Sequence, residues 1–112
     1  MSAVAGEVER ILAAGGDADD ALRAVVEALV ERGGCAWAAI SFVEEGELVR
    51  GPWAGEPHEA RRVAVPVSYR GERVGELAVV GPVDRVELER LAALISEHVL
   101  IGWDTGGERW AP

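Results

Sequence analysis

The sequence predicts an α+β domain in which a central antiparallel sheet of about four strands is packed by helices from its N- and C-terminal ends. Three observations point there. Val63 to Gly81, VAVPVSYRGERVGELAVVG, holds two apolar-rich runs separated by the polar tetrapeptide Arg70 to Arg73 with Gly71 inside it, which is how a β-hairpin is written. A capped amphipathic helix opens directly after it at Asp84. Ahead of the hairpin come two helical patterns and two further strand-like runs, so the order is helix, helix, strand, strand, hairpin, helix, with the hairpin expected in the middle of the sheet.

The chain has 112 residues, enough for one hydrophobic core and too few for two. Hydrophobic residues make up 49% and charged ones 28%, which excludes long disorder. With 20 acidic and 11 basic residues the net charge is −9, and a polyphosphate backbone is repelled, so nucleic acid is not an expected partner. All the basic residues are Arg, a bias that specifies no chemistry. No apolar run approaches the roughly 20 residues of a membrane span, and the N-terminus has neither a basic nor an apolar leader region, so a cytoplasmic protein without membrane partners is expected.

Val4, Val8, Ile11 and Leu12 recur at helical spacing and give the first helix one apolar face, with a stop at Gly15 and Gly16. Asp17 caps a second helix, with acids at 19 and 20 in its first turn, Leu22, Val25, Val26 and Leu29 on one side, and Gly33 and Gly34 at its end. From Cys35 to Val43 the residues are small, branched or aromatic and uncharged, as suits a central strand covered on both faces. After a turn at Glu44 to Glu47, Leu48 to Trp53 reads as an edge strand cut short by Gly51 and Pro52. In the hairpin, Val63, Val65, Val67 and Tyr69 share a face by the two-residue period. A three-residue loop, Arg70 to Glu72, matches them with Gly75, Leu77 and Val79, and is preferred to a two-residue loop, which matches them with Val74, Glu76, Ala78 and Val80. Asp84 and Glu87 form an Asp variant of the capping box, flanked by Val83 and Leu88 as a hydrophobic staple. Leu88, Leu91, Ile95 and Val99 line one face of this helix, Leu94, His98 and Ile101 widen it, and Gly102 stands where a helix ends.

This order, together with Val65-Pro66-Val67, Gly71, Val74-Gly75 and Leu77, resembles a GAF domain, the small sensory module of bacterial signalling proteins and cyclic-nucleotide phosphodiesterases. The resemblance covers about Ala18 to Leu100 and implies a GAF-like, profilin-like fold over residues 1–102, leaving 103–112 as a tail that packs on the domain or on a partner. Ligand-binding members carry a long segment with short helices between their second and third strands, whereas this chain has only Gly55 to Arg61. The Asn-Lys-Phe-Asp-Glu signature of cyclic-nucleotide-binding members has no counterpart. The resemblance thus implies a shallow site, and the tail from Trp103 to Pro112, absent from the common family pattern, is a candidate for a different cover, with Trp103 and Trp110 over the sheet.

The function implied is a regulatory module that binds a small molecule on the sheet face opposite the helices, lined by Trp37, Ser41, Tyr69, Glu76 and Trp103, and signals through its terminal helices to a separate output protein. The alternative is a protein-interaction module without a small ligand, a homodimer formed through Val4, Val8, Ile11 and Leu12 and the last helix, since parallel dimers through terminal helices are common in the family. Glu76 is the carboxylate that needs explaining within an apolar strand, and a cross-strand pairing with Arg62 or Arg73 would satisfy it. Free methionine-R-sulfoxide reductases share the family but cycle through several cysteines. With Cys35 as the one thiol, read as a small buried hydrophobe, no enzymatic activity is expected and no catalytic residue is assigned, and a redox enzyme of that type stands only as a remote alternative. Glu56, His58 and Glu59 lack zinc-ligand spacing and read as a solvated turn, so no metal is expected. The sequence specifies no cofactor.

Overall fold

The computed structural model describes residues 3–14, 17–56 and 62–109, with side chains at 4–14, 17–56 and 62–100. Helix α1 (Ala3–Ala13) leads to α2 (Ala18–Glu31), then strands β1 (Trp37–Glu44), β2 (Glu47–Gly55), β3 (Val63–Tyr69) and β4 (Glu72–Val80), and last helix α3 (Arg85–Arg109). The strands form one antiparallel sheet in the order β2-β1-β4-β3. The hairpin is therefore not central as a whole: β4 is interior, but β3 is an edge. The cause is visible in β3 itself, where exposed Pro66 has no N–H to give a further strand.

All three helices cover one face, α3 over β3 and β4, α2 over β2 and β1, and α1 against both helices. Fully buried Leu22, Leu29, Ile40, Leu77, Leu88, Leu91 and Ile95 form the centre of that layer. Val4 and Val8 are 2% and 0% exposed. The apolar face of α1 is thus largely consumed within the chain, and only half-buried Ile11 and Leu12 remain of the four residues expected at a dimer contact.

Local chemistry explains the element ends. The Asp17 carboxylate accepts from the Asp19 amide, and the Asp84 carboxylate accepts from the Glu87 amide at 2.8 Å, each satisfying a donor in a first helical turn. Both hairpins turn through two residues in the left-handed region, Glu45-Gly46 (φ 53° and 81°) and Arg70-Gly71 (φ 54° and 81°), the signature of a type I′ turn. The second turn differs from the preferred three-residue loop, yet the expected face matching holds: Val63, Val65 and Val67 oppose Val79, Leu77 and Gly75. A bulge reconciles the two, because Ser68 opposes Arg73 and Val74 is the extra residue.

Two expected boundaries move. Strand β2 is not cut at Gly51-Pro52 but passes through them, because a second irregularity sets that pair against Ile40 and restores pairing at Trp53. Helix α3 does not end at Gly102. Glycine permits a left-handed stop without compelling one, and no proline before Pro112 denies the backbone its next N–H. The backbone at Trp103 is helical, while the packing expected of Trp103 and Trp110 over the sheet lies outside the described side chains. No helix among the described residues is long and apolar enough to cross a membrane.

Candidate functional site on the open sheet face

Side chains alternate across a strand, so the register fixes which residues point away from the helices. Three rows cross the open face: Gly55, Trp37 and Val80; then Trp53, Ala39, Ala78 and Ala64; then Arg50, Ser41, Glu76 and Pro66. Trp37, Ala39, Ala78 and Val80 form an apolar cluster of their own, with Ala64 against it, separate from the core under the helices. The alanines explain how this helix-free face accommodates an indole, and the cluster is itself buried, with Trp37 3%, Ala39 5%, Ala78 4% and Val80 7% exposed.

Two features of Trp37 are chemically pointed. Its Nε1–H is buried and has no hydrogen-bond partner among the described residues. Such donors are uncommon, and leaving one unpaired costs about 1–3 kcal/mol. The guanidinium of exposed Arg62 sits over the ring, 4.7 Å from its centroid, held by the attraction of a cation for the negative π face.

Half-buried Ser41 lies between Arg50 on β2 and Glu76 on β4. Glu76 is not paired across strands: its Oε2 accepts from Arg73 Nη2 at 3.3 Å on the same strand, while Arg62 is engaged with Trp37. The Arg73–Glu76 pair is solvent-exposed, so it contributes little to stability while setting where Glu76 points.

Of the five residues expected to line a ligand site, the fold brings Trp37, Ser41 and Glu76 onto one face. Tyr69 packs against the helix-side core, with the Arg70 guanidinium 5.3 Å from its ring. Its own spacing placed it with Val65 and Val67, the valines that the helices cover. The side chain of Trp103 lies outside the described residues, as do His58 and Glu59. Sequence reasoning missed Arg62 and Trp53. Nothing local says that a residue just ahead of β3 reaches the ring of β1, whereas 51%-exposed Trp53 was findable as a large ring on an edge strand.

Cys35 lies just before β1 and is 4% exposed, as expected of a buried small hydrophobe. Its Sγ is packed so tightly on Gly81 that a Cβ added there would lie 2.9 Å away. Burial pushes the thiol above its ordinary value of 9.0. Among the described residues no group of three His, Cys, Asp or Glu side chains is placed to hold a metal. A concavity of about 300 Å³ lies at the turn end of the sheet, lined by Val43, Glu45, Gly46, Glu72, Arg73, Val74 and Leu100.

One antiparallel four-stranded sheet with all its helices on one side and an apolar, partly polar open face defines a GAF-like fold. Solved structures of that shape align over nearly the whole chain. The GAF domain of an Acinetobacter phosphoenolpyruvate-protein phosphotransferase is 15% identical, with a TM-score of 0.74 over 96% of this chain and 99% of that one. Free methionine-R-sulfoxide reductase from Neisseria meningitidis, solved in complex with its substrate, is 17% identical, with a TM-score of 0.73 over 91% of this chain and 89% of that one. The Staphylococcus aureus enzyme, also solved with substrate, is 15% identical, with a TM-score of 0.68 over 86% and 93%. No protein-family model matches the sequence, and no curated protein matches it.

This comparison corrects the expectation that the chain is not an enzyme. Two of these three structures are enzymes, so this architecture carries catalysis in proteins of the same shape, and a count of one cysteine is no ground for setting enzymatic activity aside.

Proposed function

We propose that the chain is a regulatory small-molecule-binding module whose ligand sits on the open sheet face around Trp37, Ser41 and Glu76 and whose response passes to α3. The observation that carries this reading is the buried Trp37 indole N–H without a partner, set in an apolar floor with a few polar groups around it. That composition is the usual one of a ligand site. The route to α3 is short. Glu76 follows Gly75, and Gly75 packs tightly under α3: an added Cβ there would lie 2.9 Å from Val99 Cγ1 and 2.3 Å from the Ser41 carbonyl oxygen. A ligand that displaces the Ser41–Glu76 row thus displaces the seat of α3. To shift its arrangement tenfold the ligand must prefer one state by about 1.4 kcal/mol.

Transmission requires a partner, either a separate output protein or a second copy joined through α3. The binding reading is tested by thermal unfolding across a panel of metabolites. Ligand at a hundredfold excess over its Kd stabilises the native state by about 2.7 kcal/mol, and Trp37→Phe is expected to abolish that gain. A panel that leaves the melting temperature unmoved sinks it. A mass that stays monomeric across a wide concentration range in sedimentation removes the second copy.

The reductase neighbours favour a second reading, thiol-dependent reduction of a small sulfoxide. Cys35 Sγ would attack the sulfoxide sulfur, take its oxygen as a sulfenic acid and release the sulfide. An external dithiol would then return Cys35 to the thiol, yielding its own disulfide and water. Because burial disfavours the thiolate, the approach has to open at the Cys35–Gly81 contact. Dithiol-dependent consumption of free methionine-R-sulfoxide that vanishes in Cys35→Ser establishes this reading; consumption that survives the substitution, or none at all, removes Cys35 from it.

A further inference from the structure

We infer that the ligand of the open face is a small carboxylate, with one oxygen accepting from Trp37 Nε1–H and the Arg62 guanidinium as its counter-ion. This rests on the binding reading above and names the class of ligand. The buried indole N–H is a donor and lacks an acceptor among the described residues, so a group that pairs with it must bring a lone pair. Arg62 supplies the charge. Among the described residues its guanidinium has the ring contact with Trp37 and no carboxylate, in a chain whose net charge is −9. Of the acids near this face, Glu76 is engaged by Arg73 and lies two rows away from Trp37, roughly 13 Å along the strand, while exposed Glu56 follows Gly55 at the Trp37 end, its amide bonded to the Ala36 carbonyl. At the Trp37 end the guanidinium of Arg62 lies over the ring and is the cation nearest the unpaired N–H.

The floor sets the rest of the ligand. Ala39, Ala78, Ala64 and Val80 offer no polar side-chain atom, so the body of the molecule is short and aliphatic or flat. An amine is the wrong class, because it brings donors to a donor and a positive charge to Arg62. A neutral alcohol or amide satisfies the N–H but leaves the guanidinium unused. Arg62 is exposed and can leave the ring to meet the anion, and because Trp37 and its neighbours are buried the ligand enters only as the surface over them gives way.

The test uses the full chain labelled with 15N, with the Trp37 indole resonance assigned through Trp37→Phe. Propionate, N-methylacetamide, n-propylammonium and a set of uncharged nucleosides and sugars are titrated at constant ionic strength. Propionate is expected to move the Trp37 indole proton downfield and to saturate. Arg62→Gln is expected to weaken that binding about tenfold or more, and Arg62→Lys to recover part of it, with both variants melting like the parent. An indole resonance that propionate leaves in place overturns the carboxylate assignment, as does a titration unchanged in Arg62→Gln or one reproduced by sodium chloride. If carboxylates fail while an amine or an uncharged compound moves the Ala39, Ser41 and Glu76 amides, the binding reading stands and this inference falls. If nothing in the panel moves them, both fall.

Discussion

Gly75 shows how much can hang on one missing methyl group. The two atoms an added Cβ would strike are of different kinds: Val99 Cγ1 is a side chain that can give way, but the Ser41 oxygen at 2.3 Å belongs to the neighbouring strand's backbone. Gly75→Ala must therefore part β4 from β1 or lift α3, and overpacking of this sort costs about 1–3 kcal/mol. Urea unfolding should show it as a lower midpoint with little change in slope; a loss under about 0.5 kcal/mol would mean that the approach is not tight. Cys35 gives a residue-scale prediction of a different kind. Its thiol titrates at 9.0 when free and higher when folded, because burial penalises the thiolate. Below that ordinary value both states hold the proton and pH has no effect through this group. As pH rises from there towards the folded value, only the unfolded chain ionises, so stability falls. Between about pH 8 and pH 10 the parent should lose more stability than Cys35→Ala, and equal losses would show that the thiol is not shielded. Sequence patterning put Gly75 in the right register without revealing why a glycine is needed, since the Ser41 carbonyl comes from a strand more than thirty residues earlier.

At the scale of elements, what could be read early was what is local. The caps at Asp17 and Asp84, the sheet register of β3 against β4 and the edge position of β2 follow from residues within a few positions of one another. What escaped was decided by competition. The choice between a two- and a three-residue loop at Arg70 could not be made from face matching, because a bulge at Val74 allows the shorter loop to keep the match of the longer one. Likewise, Gly51-Pro52 breaks a strand only if no neighbour absorbs the extra residue, and β1 does absorb it opposite Ile40. Of the candidate site, the residues of β1 and β4 could be found from alternation, whereas Arg62 depended on a long-range approach. The two turns also make a paired prediction. Each places a residue with a side chain in the left-handed region, Glu45 at φ 53° and Arg70 at φ 54°, where Asn is better tolerated. Glu45→Asn removes that strain and one acid from the run Glu44, Glu45, Glu47, so it should stabilise by about 0.5–1 kcal/mol. Arg70→Asn relieves the same strain but loses the stacking on Tyr69, worth about 0.5–1 kcal/mol, and should be close to neutral. Thermal midpoints of the two variants in the opposite order would show that the turns are not the limiting feature.

For the molecule as a whole, the question is whether its charge helps or hinders the fold. Two ion pairs join described side chains, Arg10 with Glu7 and Arg73 with Glu76, each spaced three residues apart and facing water. Pairs of that sort contribute about 0–1 kcal/mol each and lose part of it as salt rises. Against them stands a net charge of −9 on 112 residues, whose mutual repulsion is strongest when the chain is compact and is relieved by unfolding. Among the described residues no charged or polar residue is buried, so the fold rests on apolar packing that salt does not weaken. Screening therefore removes more repulsion than attraction. Raising sodium chloride from about 0.02 M, where the Debye length is roughly 20 Å, to about 0.3 M, where it is roughly 5–6 Å, should raise the urea midpoint at neutral pH. The gain should shrink near the isoelectric point of about 4.6, where the net charge vanishes. A midpoint that falls with salt at neutral pH would mean that ion pairing, and not the apolar layer between sheet and helices, holds the molecule together.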